Sequence, residues 1–210
     1  MRLLPLLLSA HPSAWTADAS VAEERGRDPK PSQCRFCDVD AVGRIEPFHC
    51  NGDHADNTPD NVVPACPLCH LAQHPDRPRI DAETVLIWMP EMSQAALNRV
   101  VRGIHLDLHR GGEPVDMRRP PRGASPRSVA AYRAYRALHE RSTPALDRLG
   151  TNSFAQLGSA LLDLSPAHYD RRGELLAGLR LLPLGRLYHD QQDIYPDLLT
   201  AWAAKPQSTA

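Results

Sequence analysis

Two cysteine pairs, Cys34-Arg35-Phe36-Cys37 and Cys66-Pro67-Leu68-Cys69, flank a polar insert of 28 residues (38–65). A CxxC turn aims two sulfurs at one point, and four thiolates about 2.3 Å from one zinc ion form a closed tetrahedral structural site. Paired CxxC at this separation is a specific signal, whereas either pair alone carries little. The expected ligands of a structural Zn²⁺ are therefore Cys34, Cys37, Cys66 and Cys69. Cys50 is left over from the five cysteines. An odd thiol beside two CxxC pairs fits a reducing compartment better than a disulfide framework.

Between and after the pairs stand residues suited to phosphodiester chemistry. The chain reads Glu46-Pro47-Phe48-His49-Cys50-Asn51-Gly52-Asp53, then Asn57-Thr58-Pro59-Asp60-Asn61, then Cys69-His70 with His74 beyond. This pattern resembles the HNH endonuclease motif from Cys34 to His74. The resemblance implies a β-hairpin and a helix gripping one divalent ion beside a structural zinc. His49 matches the general base that activates water, and Asn61 matches the asparagine that holds the hairpin and orients that base. His70 matches a metal ligand. His74, one turn later on the same helix face, is a further candidate ligand for a second ion.

The chain departs from the pattern at Phe48, where His or Asp is expected on the strand side of the ion. A phenyl ring cannot coordinate, so His70 and His74 remain, too few to position a catalytic ion. No catalytic residue is therefore expected. The alternative is a DNA endonuclease using His49, Asn61 and His70 with Mg²⁺, Mn²⁺ or Ni²⁺. Each residue also has a purely structural reading. His49 can bond the hairpin, His70 and His74 can complement a helix C-terminus, and Asn57 and Asn61 can form turns.

The elements that must position these groups follow from punctuation and periodicity. Leu3 to Leu8 imitates the apolar run of a secretory signal, but it is short and broken by Pro5, so an edge strand is expected. Residues 20–33, with Pro29 and Pro31, read as a linker into the metal module. Thr84 to Met89 is β-branched and apolar and predicts a buried strand. Ser93 predicts a helix N-cap. Leu97, Val100, Val101, Ile104 and Leu108 recur at helical spacing until Gly111-Gly112. After a Pro/Arg-rich loop at 112–124, Ser125-Pro126 opens a second helix carrying Val129, Tyr132, Tyr135 and Leu138. Further helices are expected around 153–164, 167–181 and 196–204. The fold class is α+β: a zinc-stabilised hairpin-plus-helix module with few strands and a mainly helical C-terminal body. Residues 1–90 hold the N-terminal strand and module, with the zinc core at 34–74, and residues 91–210 hold the helical region.

Bulk properties narrow the function. A formal net charge of −1 over 210 residues gives no general attraction to nucleic acid, which disfavours a binder that works through phosphate contacts. The cations are nearly all arginine, with Lys30 and Lys205 the only lysines. No stretch approaches the ~20 apolar residues of a membrane span, so no direct membrane insertion is expected.

Beyond the module, Thr84-Val85-Leu86-Ile87-Trp88-Met89-Pro90-Glu91-Met92-Ser93-Gln94-Ala95-Ala96-Leu97-Asn98 resembles a segment of the IcmJ/DotN proteins of type IVB secretion and conjugation systems. The helix with Ala131-Tyr132-Arg133-Ala134-Tyr135-Arg136, the segment ending Leu181-Leu182-Pro183 and the opening Leu8-Ser9-Ala10 fit the same family, over residues 3–183. The resemblance implies a non-enzymatic zinc-binding adaptor. It would bind the cytoplasmic tail of the coupling ATPase and other coupling-complex subunits, in the cytoplasm beside an inner-membrane channel. This chain keeps more of the HNH histidines than a fully decayed member needs.

Overall fold

Antiparallel pairing of short strands organises the computed structural model, which describes residues 3–16, 33–41 and 44–204. A short helix α1 (Pro12–Thr16) follows the N-terminal stretch. Strands β1 (Glu46–His49) and β2 (Val62–Ala65) form a hairpin in which Phe48 faces Val63 and His49 faces Val62. Their connecting loop is built from successive Asx turns: Asn51, Asp53 and Asp56 each accept the backbone N–H two residues on. Helix α2 (Pro67–His70) starts directly after β2, with Pro67 at its first position, where a missing N–H is harmless. A 3₁₀ turn over Leu71–Gln73 carries the chain to His74.

Helix α3 (Ile80–Glu83) leads into β3 (Thr84–Trp88). Four longer helices follow: α4 (Gln94–Arg110), α5 (Pro126–Glu140), α6 (Ser142–Leu149) and α7 (Phe154–Leu162). The hydroxyls of Ser93, Ser125 and Ser153 cap α4, α5 and α7 by accepting from Ala96, Ser128 and Gln156 N–H. Short helices α8 (Pro166–Asp170) and α9 (Arg172–Leu175) precede β4 (Leu179–Pro183), the two-residue strands β5 (Tyr188–His189) and β6 (Gln192–Asp193), and α10 (Tyr195–Ala203).

The centre of the body is the β3–β4 pair, with Leu86 opposite Leu181 and Trp88 opposite Leu179. Alternate side chains of a strand point to opposite faces, so the pair divides two cores. Leu86 and Leu181 join the cysteines, Phe154, Leu199 and Trp202. Ile87 and Leu182 join Leu97, Val101 and Tyr135. These four strand residues are at most 2% exposed. Each such side chain contributes about 1.5–3 kcal/mol of burial. Glu83 is fully buried, held by Arg77 through two contacts of 2.7 Å. No helix among the described residues is long and apolar enough to cross a membrane.

Two sequence expectations need correction. Residues 3–10 form no strand: they run as an irregular extended segment, tied by Leu4 N–H to Arg35 O and by Ser9 N–H to Ala72 O. Leu6, Leu8 and Ala10 still turn inward, so the alternation is real although the ladder is not. The helix expected over 167–181 is instead α8, α9 and a strand. Gly178 makes the change of direction at φ +92°, and a Cβ there would stand 2.7 Å from the Trp88 ring. The linker at 20–33 lies outside the described residues except for Gln33, which bridges to Asp40.

Candidate metal centre

The turns that open at Cys34 and Cys66 bring all four sulfurs within 4.8 Å of one another, and all four side chains are buried. The Cys34 turn closes through Asp38 N–H to Cys34 O and is laid on the hairpin by Arg35 N–H to Pro64 O. In the second turn, Cys69 and His70 both donate to Cys66 O. Cys37 Sγ and Cys66 Sγ are 3.7 Å apart. Two sulfurs on a tetrahedron with 2.3 Å bonds stand about 3.8 Å apart, so the spacing suits one ion. Hydrogen bonds from Cys37, Cys66 and Cys69 draw the Cys34 thiol far below its ordinary range. Cys66 and Cys69 are pushed well up, first by Cys34 and Cys37 and then by burial. Four thiolates cannot coexist here without a cation between them. The set can hold a metal ion.

Helix α4 ties this cluster to the body. Asn98 Nδ2 donates to Leu68 O at 3.1 Å and toward Cys69 Sγ at 3.4 Å. Gln94 Nε2 donates to Asn98 Oδ1 and to Leu181 O, while Gln94 Oε1 accepts from Leu181 N–H. A buried amide relay therefore runs from the β4 backbone to a cysteine sulfur. Arg99 binds Cys37 O, and Arg102 binds Asp40 O while stacked 4.2 Å from the Trp202 ring. None of these four was singled out as a site residue from the sequence. For Gln94, Asn98 and Arg102 the signal is a buried polar stripe, continued by His105, at helical spacing inside an otherwise apolar helix face, whereas Arg99 is exposed.

The histidines gather on the other side of α2. Ring centroids run from His70 to His74 at 4.4 Å, His74 to His54 at 5.0 Å, and His54 to His49 at 4.8 Å. His49, His70 and His74 are each less than a tenth exposed. His70 Nδ1 lies 2.8 Å from Glu46 Oε2, and His74 Nδ1 approaches Asp76 Oδ1 at 3.3 Å without the alignment of a full hydrogen bond. Burial pushes the Glu46 carboxyl up, but His70 and Arg44 outweigh it and hold the group well below the usual carboxylate range. Burial, aided by His70, lowers His74 to about 4 against the pull of Asp76.

Asn61 holds the hairpin loop at both ends, accepting from Asn51 N–H at 2.9 Å and donating to Asp56 O at 2.7 Å. The asparagine at His49 is Asn57, whose Oδ1 is 3.2 Å from His49 Nε2. Phe48 points into the core, with its ring 4.5 Å from that of Phe36 and its edge contact to His70 at 6.3 Å. Cys50 is exposed and stands apart from the other four cysteines. In comparisons with known proteins, no family model and no curated protein matches this chain.

Proposed function

We propose that this protein is a non-enzymatic adaptor of a type IVB secretion or conjugation coupling complex, with zinc at Cys34, Cys37, Cys66 and Cys69 bracing the surface that receives the coupling ATPase tail. The observation that supports a non-enzymatic role is Phe48. On the strand position where an HNH nuclease presents a ligand, this chain places an apolar ring and buries it on Phe36. The relay of Gln94 and Asn98 supports a bracing role for the zinc, because these residues lie in the segment that resembles IcmJ/DotN proteins. Four buried sulfurs with no open position suit Zn²⁺ as a structural ion rather than a catalytic one.

The test is co-purification of the full chain with the cytoplasmic tail of a coupling ATPase, beside a plasmid-nicking assay with Mg²⁺, Mn²⁺ and Ni²⁺. A stoichiometric complex and intact plasmid are expected. Metal-dependent nicking that disappears in His49→Ala overturns the reading. It would favour the nuclease alternative, which draws on the Asn57-held His49 and on the His70–His74 pair.

A further inference from the structure

The Pro/Arg-rich loop that joins α4 to α5 is pressed against the turn after β4. Gly185 turns there at φ +74°, and a Cβ on it would stand 2.7 Å from Val115 O, so only glycine lets the two segments approach this closely. Two residues along the loop, Met117 holds φ +57°, a left-handed conformation that a long side chain seldom adopts. Such a residue costs about 1–3 kcal/mol and persists only where its surroundings impose it. Beside this contact lies a cleft of about 210 Å³. None of its lining residues belongs to the cysteine or histidine clusters.

The lining divides by chemistry. Met117, Leu184 and the ring of Tyr135 supply apolar surface, and the Tyr135 hydroxyl is engaged by Pro183 O at 2.7 Å. Asp116, Arg186 and His139 supply the polar groups. The Asp116 side chain is only 6% exposed and accepts from Arg118 Nε and, at 2.9 Å, from Arg186 Nη2. Burial pushes its carboxyl up, but the two guanidiniums outweigh burial and hold it below the ordinary range, so it is ionised. One carboxylate against two guanidiniums leaves a net positive charge. A cationic ligand would meet an acceptor already paired twice. Arg186 gives Nη1 to Tyr188 Oη at 3.4 Å and keeps further donors free. His139, in the last turn of α5, makes no hydrogen bond or ion pair among the described residues. The volume falls below the roughly 300–1,000 Å³ of sites for drug-sized molecules, which suits a compact ring or branched chain with one polar end.

We infer that this cleft binds a small organic monocarboxylate, its apolar body against Met117, Tyr135 and Leu184 and its carboxylate facing Arg186 and His139. Charge-assisted hydrogen bonds from a guanidinium to a carboxylate are about twice as strong as neutral ones, and they supply the preference for an anion. The site goes beyond the adaptor reading and does not rest on it, because ligand binding is read without any ATPase tail.

The experiment is nuclear magnetic resonance of the nitrogen-15-labelled full chain, titrated with benzoate and 3-methylbutanoate and, in parallel, with benzamide and 3-methylbutanamide. Saturable shifts of the Met117, His139 and Arg186 amides are expected with the acids, and affinity at least about 10-fold lower with the amides. His139→Leu removes a partly exposed group with no partner to strand, so the fold should survive while acid affinity falls by about 10-fold. Unchanged dispersion of the remaining amide signals confirms the fold of this variant, and His139→Gln replaces it if dispersion is lost. The inference is overturned if neither acid gives saturable shifts at these residues, if acids and amides bind equally, or if the folded His139 variant keeps full affinity.

Discussion

The cysteine and histidine clusters meet on one short helix, where Cys69 and His70 are neighbours, yet they are supported in opposite ways. The cysteines are fastened from outside the module: Asn98 of α4 reaches the Cys69 sulfur, Arg99 the Cys37 carbonyl and Arg102 the nearby Asp40 carbonyl, and Gln94 extends the connection to β4. The histidines lean on groups closer by, Glu46, Asp76 and Asn57, with Ser13 holding the His54 N–H. The first cluster is thus part of the body's framework. The second rests on the hairpin and on the chain just after α2.

The strongest way to break this contrast is Cys66→Ser. Structural zinc supplies about 10–16 kcal/mol of apparent folding free energy, as much as the whole stability of an ordinary domain. Loss of the cooperative thermal transition is expected, and a folded, metal-free protein would contradict the framework role. Asn98→Ala comes next. It strands Gln94, Leu68 O and a sulfur in a buried site, for an expected loss of about 1–3 kcal/mol in urea denaturation. An unchanged midpoint would mean that the relay carries no load.

Glu46→Gln tests the histidine side through pH. The folded carboxyl titrates below its ordinary 4.5. Its stabilisation is therefore complete above that value and is lost as pH falls from 4.5 toward the folded pKa. The wild type should lose up to about 1.4 kcal/mol per pH unit through this one group, and the variant should show a flatter acid limb. Parallel limbs would count against the ion pair. The smallest effect belongs to His54→Ala, which in protein that keeps the ion of the four cysteines should stay within about 0.5 kcal/mol of wild type in urea denaturation.

What the sequence made legible were features with short-range causes. The CxxC spacing, the Ser93 and Ser125-Pro126 helix starts and the strand at Thr84 all announce themselves within a few residues. Helix α6 was hidden because it follows α5 almost without a stop, Arg141 closing one and opening the other. Strand β4 was misread because Leu175, Leu176, Leu179 and Leu182 also satisfy a helical period. What decides otherwise is pairing with β3 and the bend at Gly178, both set by a partner far away in the chain. His54 escaped notice because it sits in a polar loop, where only the folded position of His74 gives it meaning. The amide relay was likewise invisible, since Gln94 and Asn98 look like ordinary polar residues until Leu181 and Cys69 are placed beside them.

The Tyr169 hydroxyl donates to Ala10 O at 2.5 Å and accepts from Ala10 N–H, joining residues 159 positions apart. As the ribosome releases the chain, the zinc module can close long before Tyr169 emerges. Residues 3–10 can then rest on the module through Leu4 and Ser9, but the anchor at Ala10 forms only when synthesis is nearly finished. The nascent protein therefore holds this apolar segment by its module contacts alone for most of its translation, and that interval is when chaperones have the greatest opportunity to bind it.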